Sequence, residues 1–108
     1  MKVNVLGAEY TITTGVKDVD DPKLQNRNAD GYCDFTTKQI VVSEMVEDDY
    51  TMADLKTYEK RVIRHELVHA FLYESGLDSS TWARDEEIVD WIAIQWPKLQ
   101  NTFEKLDI

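Results

Sequence analysis

The chain has 108 residues, 43% of them hydrophobic, and sets 12 basic against 21 acidic side chains for a formal charge of −9. That length supports one compact domain over residues 1–108 and leaves no room for a second core, and the negative excess repels phosphate backbones and anionic lipid, which argues against nucleic acid as a direct partner. No stretch reaches the roughly 20 apolar residues needed to cross a bilayer, so no membrane association is expected. The single Cys33 permits neither an internal disulfide nor a multi-cysteine zinc ribbon, and with no signal-like apolar start it points to a reducing, cytoplasmic setting.

In chain order, VNVLGAEYTITTG alternates apolar Val3, Val5, Tyr10 and Ile12 around Gly7, the period of two half-buried strands joined by a short turn. Residues 17–30, KDVDDPKLQNRNAD, are polar and rich in Asp and Asn, with Pro22 among them, and read as a surface loop. YCDF and QIVVS flank TTK and predict a second strand pair, its later member carrying β-branched Ile40, Val41 and Val42.

Between Thr51 and Ser75 there is no Pro or Gly, the apolar spacing is helical, and Gly76 stands where a helix would stop. Measured from His65 at about 100° per residue, Leu55, Tyr58, Val62, His69, Leu72 and Tyr73 fall on one side, and Ile63, Leu67, Ala70 and Phe71 roughly opposite. A helix apolar on both sides needs cover on both. It is therefore expected between the sheet and a second helix, which DSST caps and which runs through Trp96 until Pro97 interrupts or kinks it. PKLQNTFEKLDI then predicts a short helical tail, and Trp82, Trp91 and Trp96 are assigned to core and interface packing. The expected class is α+β, a small and mostly antiparallel sheet packed on a central helix with a second helix beside it.

The chemistry concentrates in RHELVHAF, residues 64–71, which holds both histidines of the chain. At i and i+4 on a helix, His65 and His69 can aim two imidazole nitrogens at one point, a geometry suited to zinc, which imidazole binds at about 2.0–2.1 Å. Glu66 is rotated about 100° from His65 and stands beside the ion, where its carboxylate can take a proton from metal-bound water. A single histidine on an apolar helix face is more often a core residue than a ligand; a pair at this spacing with a glutamate between them, on a predicted helix, meets the context that the H-E-x-x-H pattern demands.

Two imidazoles leave a catalytic zinc short of its usual three protein ligands. With no third histidine, the remaining ligand is a carboxylate or, less favourably, Cys33. RDEEIVDWIA, residues 84–93, supplies Glu86 and Asp90 at i and i+4 on the face expected to pack on the first helix. Glu86 as ligand and Asp90 as acceptor of an N–H from His65 make sense of that repelling pair. Glu87, turned away by about 100°, remains an alternative, and DEE also suits the positive end of a helix dipole whatever its role. NRNADGYCDFTT, residues 26–37, spaces Asn26, Asn28, Asp30 and Gly31 like a calcium loop but ends on Thr37 where a bidentate Glu is needed.

His65-Glu66-Leu67-Val68-His69 followed by Glu86-x-x-x-Asp90-Trp91-Ile92-Ala93 resembles the minimal gluzincin metallopeptidases, in particular the small ImmA/IrrE-type and phage-encoded members, and DGYCDFTTKQIVVSE resembles the strand pair that precedes their active helix. The resemblance spans roughly residues 30–96. It implies a zincin-like fold and a zinc-dependent peptidase, with His65, His69 and Glu86 as Zn²⁺ ligands, Glu66 as general base and Asp90 in support. It also implies an origin in a phage or mobile element and so a bacterial host cytoplasm.

The expected partner is a protein or peptide substrate of narrow range, lying extended along an exposed strand for which 38–43 is the candidate. Tyr32, Tyr73 or Arg84 are candidates for stabilising an oxyanion, and the sequence does not select among them or fix the oligomeric state. Two other readings stand beside the enzyme: a metal-binding interaction domain without catalysis, and an acidic regulator whose histidines merely pack.

Overall fold

A computed structural model of the protein describes residues 1–46, 54–77 and 82–108. The class is α+β: strands β1 (Lys2–Val5), β2 (Ala8–Val16), β3 (Gly31–Asp34) and β4 (Gln39–Ser43), and helices α1 (Pro22–Arg27), α2 (Leu55–Glu74) and α3 (Glu86–Leu106), with single 3₁₀ turns at Asp18–Asp20 and Trp82–Arg84. The sheet runs in the order β1-β2-β4-β3. Its β1/β2 and β3/β4 pairings are antiparallel and its β2/β4 pairing is parallel. Among the described residues no helix is long and apolar enough to cross a membrane.

The opening hairpin forms as its alternation predicts. Leu6 and Gly7 both take positive φ, 51° and 97°, the two-residue turn whose twist matches the strands it joins, and Asn4 Oδ1 accepts from Gly7 N at 2.9 Å. Alternation then sends Val5, Tyr10, Ile12, Ile40 and Val42 to one face, where they form the core with Val62 and Ala70 of α2.

Residues 17–30 are not simply a surface loop. Asp21 caps α1 by accepting from Lys23 N and Leu24 N, Pro22 occupies the first turn, Leu24 is buried, and Asn28 closes the helix in the left-handed region. An Asp followed by Pro is a helix-start signal in its own right, and one buried leucine is enough to hold a short helix against the body.

The long helix starts at Leu55, where Asp54 accepts from Thr57 N; residues 51–53 lie outside the described residues. It stops as expected, with Gly76 at φ +79°, Gly76 N bonded to Tyr73 O and Leu77 N to Leu72 O, the paired closure of a glycine-terminated helix. It is covered on two sides, as expected. Val62, Glu66 and Ala70 form the buried stripe, and α3 is reached from Arg61, Arg64 and His65, which at about 100° per residue point well away from that stripe. Phe71, expected under cover, is 42% exposed, where it lines an apolar groove between α2 and α3.

DSST, expected as the cap of the second helix, lies outside the described residues; the cap of α3 is Asp85, which accepts from Glu87 N at 2.9 Å. Pro97 neither ends the helix nor separates a tail, for α3 continues unbroken to Leu106. A proline inside a helix deprives the carbonyl four residues earlier of its donor. Here that carbonyl is Ala93 O, and Arg64 Nε of α2 donates to it at 2.6 Å. Of the core and interface roles expected of the tryptophans, the core role is corrected: Trp82, Trp91 and Trp96 are 49%, 55% and 46% exposed, so none serves as a core residue.

Candidate metal centre

The two covered stripes of α2 divide the site between them. His65 and His69, one turn apart, face α3, and their rings meet edge-on with centroids 4.9 Å apart. Glu86, in the first turn of α3, places one carboxylate oxygen 2.9 Å from His65 Nε2 and the other 2.9 Å from His69 Nε2. The positive end of the α3 dipole lies where this carboxylate sits. One turn further along α3, Asp90 Oδ1 stands 3.3 Å from His65 Nδ1, and Asp90 Oδ2 accepts from Arg61 Nη2 at 2.9 Å. His65 thus has a carboxylate at each ring nitrogen, and Glu86 bridges the two imidazoles.

Glu66 occupies the other stripe. It is 6% exposed, and its Oε2 has no hydrogen-bond partner among the described residues. Burial, reinforced by the nearby Glu86, raises its pKa to about 7, against the smaller opposing pull of His65 and Arg27. Burial also lowers the pKa of His69, favouring the neutral imidazole that a metal requires. Beside this carboxyl β3 approaches α2 closely: a Cβ on Gly31 would stand 3.0 Å from Val62 Cγ1, 3.1 Å from Val41 O and 3.5 Å from Glu66 Cγ. A side chain there would require Val62 and the β4 backbone to give by a few tenths of an ångström.

A cleft of ≈ 590 Å³ opens on this carboxyl, lined by Glu66, His69 and Glu86 and, around them, by Arg27, Tyr32, Cys33, Phe35, Tyr73 and Arg84. A smaller hollow of ≈ 270 Å³, bordered by Asp30, Tyr58, Arg61, His65 and Asp90, adjoins it. The Tyr32 hydroxyl is committed to Asp21 Oδ2 at 2.7 Å, and the Tyr73 ring stacks on Phe35 at 4.4 Å; both border the cleft, as does Arg84. Burial pushes the Cys33 thiol up to about 12, so it stays protonated and is a poor ligand.

Residues named from the sequence therefore meet: His65, His69, Glu86 and Asp90 within hydrogen-bond reach, and Glu66 beside them. Glu87, one residue on, makes no contact with either imidazole. His65, Glu66 and His69 also bring ligand atoms within 4.8 Å of one another. Of the two carboxylates Glu86 is the better third donor, since it already touches both Nε2 atoms and Glu66 Oε2 does not. Neutral imidazole nitrogens and one carboxylate fit the donor preferences of zinc.

Sequence reasoning missed Arg61, Arg64 and Gly31. Arg61 was accessible, being four residues before His65 and so on the same face; Arg64 and Gly31 act through tertiary neighbours and carry no local signal. The strand proposed to carry a substrate is a correction of another kind. β4 lies between β2 and β3 and has both edges paired, so residues 38–43 offer no free edge. The outer strand beside Glu66 is β3. Comparison with protein-family models, curated proteins and solved structures finds no match to this chain.

Proposed function

We propose that the protein is a zinc-dependent metallopeptidase in which His65, His69 and Glu86 hold the ion and Glu66 is the general base. The observation that carries this reading is Glu66: a buried carboxyl with an oxygen left unpartnered, opening on a cleft beside two imidazoles that share one carboxylate. An unpaired buried carboxyl is destabilising, and such groups cluster where a proton has to be moved. A bound zinc ion would supply Lewis acidity, polarising the scissile carbonyl and acidifying water at its open position.

The remaining work falls to the chain. Glu66, with a pKa of about 7, is poised both to take the proton of the attacking water and to pass it to the leaving amine. Asp90 accepts the Nδ1–H of His65, presenting Nε2 to the site, and Arg61 holds Asp90. The cleft binds an extended peptide against the outer edge of β3, where main-chain pairing supplies affinity without demanding one sequence. Arg27 and Arg84 at its wall and the rings of Phe35 and Tyr73 narrow the substrates accepted.

Elemental analysis of protein purified without added zinc tests the metal, with close to one zinc per chain expected. The Glu66→Gln variant tests the chemistry: it should retain zinc and lose peptide cleavage, and equal cleavage by variant and parent removes Glu66 from its role. A second reading, an acidic regulator without metal, draws on the hydrogen bonds that Glu86 already makes to both imidazoles. Zinc content near zero, unrestored by adding zinc, favours it.

A further inference from the structure

We infer that the protein pairs with a second copy of itself through the C-terminal half of α3, an inference independent of whether the site binds zinc. Ile92, Trp96, Leu99, Phe103 and Leu106 recur along α3 at alternating intervals of four and three residues, the spacing of a seam between two packed helices. Among the described residues only the first half of α3 buries its apolar side: its buried residues are Val89 and Ala93, and every residue from 101 to 108 is exposed. Trp96, Phe103 and Leu106 are 46%, 40% and 63% exposed. The seam continues into an apolar groove of ≈ 460 Å³ between α2 and α3, lined by Leu67, Val68, Phe71, Ile92 and Trp96 among others.

Charge favours a second copy as the occupant. The chain carries −9, so two copies repel wherever acidic surfaces meet. From 95 to 108 the charged side chains are two basic and two acidic, Lys98, Lys105, Glu104 and Asp107, and the positions beside the seam include the uncharged Gln95, Gln100 and Thr102. This is a face on which like can meet like without acid opposing acid. A basic partner chosen to complement the protein would find its acids elsewhere.

Area is compatible. Aromatic side chains bury about 150–250 Å² each when wholly covered, and a stable interface takes about 800 Å² per partner. Trp96, Phe103 and Phe71 keep less than half of their surface exposed, so with Leu106 and the 82% exposed Ile108 they form the apolar centre of such a patch, which Ile92, Leu99 and the polar residues beside the seam complete. An antiparallel two-fold pairing makes the seam complementary to itself and brings Leu106 and Ile108 of each chain to the groove of the other. At about 100° per residue Ile92, Trp96, Leu99 and Phe103 point well around α3 from Glu86 and Asp90, so the pairing does not use the side of the helix that faces the cleft.

Sedimentation equilibrium of the full chain, run over increasing protein concentration with and without a chelator, tests the pairing. The expected result is twice the chain mass in both conditions. Phe103→Glu/Leu106→Glu should return the single mass with unchanged far-UV dichroism, while Trp91→Glu, which replaces an exposed ring outside the seam, should leave the dimer intact. If the charged double variant loses helix, Phe103→Gln/Leu106→Gln replaces it with the same expectation. A parent that keeps the single mass at the highest concentration overturns the inference. So does a folded seam variant that remains dimeric, or a Trp91→Glu variant that dissociates as readily, which would mean general adhesiveness of exposed rings.

Discussion

Arg64 Nε donates at 2.6 Å to the carbonyl oxygen of Ala93, the acceptor that Pro97 leaves without its helical donor. The bond joins α2, one residue before the first histidine, to the middle of α3. Removing it strands a backbone acceptor at a residue with no exposed surface, and such losses cost about 1–3 kcal/mol. Arg64→Ala should therefore destabilise the protein by that amount in denaturant unfolding. In a Pro97→Ala background the restored N–H can satisfy Ala93 O, and the same substitution should cost distinctly less. Equal costs in the two backgrounds would mean that Arg64 stabilises by packing alone.

Arg61 borders the hollow beside His65 and bonds to Asp90. Partners that orient a metal-binding histidine are worth about 10–100-fold in metal affinity, and Arg61 fixes one such partner from 2.9 Å. Arg61→Ala should weaken zinc binding by roughly tenfold in competition with a chromogenic chelator, with Arg61→Lys intermediate because the ammonium keeps the charge and loses the planar fork. Unchanged affinity would show that Asp90 needs no such anchor.

Glu66 makes stability depend on pH. Its folded-state pKa of about 7 lies above the ordinary 4.5, so between those values the folded chain binds more protons than the unfolded chain, and stability falls as pH rises through that window. The full penalty, present above about pH 7, is on the order of 3 kcal/mol. In metal-stripped protein, Glu66→Gln should accordingly be more stable than the parent at pH 8, with the advantage fading below about pH 4.5. Parallel stability curves for the two proteins would refute the buried, unpartnered carboxyl.

Glu86 and Glu87 are neighbours with different surroundings. Glu86 meets both Nε2 atoms at 2.9 Å, and the amide of Glu87 is engaged by Asp85 while its side chain touches neither imidazole. Glu86→Ala should lose zinc on dialysis against a mild chelator; Glu87→Ala should keep it. The reverse ranking would move the third ligand by one residue.

What could be read in advance follows from the range of the forces involved. The pairing of His65 with His69 and of Glu86 with Asp90 is a matter of helical period, so their convergence was legible once two helices were foreseen to touch. The Leu6–Gly7 hairpin and the Gly76 stop are equally local. The order of the strands is not: nothing within QIVVS announces that β2 will flank it in parallel, and the free edge was assigned to the wrong strand. That the helix runs on without a break past Pro97 was not legible because its rescue comes from Arg64, and α1 was missed because the Asp21–Pro22 signal was outweighed by the polarity around it. The tryptophans were assigned by residue type, and type alone does not say on which side of a helix a neighbour will stand.

His65, Glu66 and His69 are carried by a single turn of α2, a helix seated on the sheet by Val62 and Ala70. Their mutual spacing is consequently a property of the helical screw itself, insensitive to how loops drift. Arg27 and Arg84, in contrast, come from short separate elements at the wall of the cleft. Under the proposed function, such a division would leave the preference for a target open to change by a few substitutions at that wall, with the spacing of His65, Glu66 and His69 untouched.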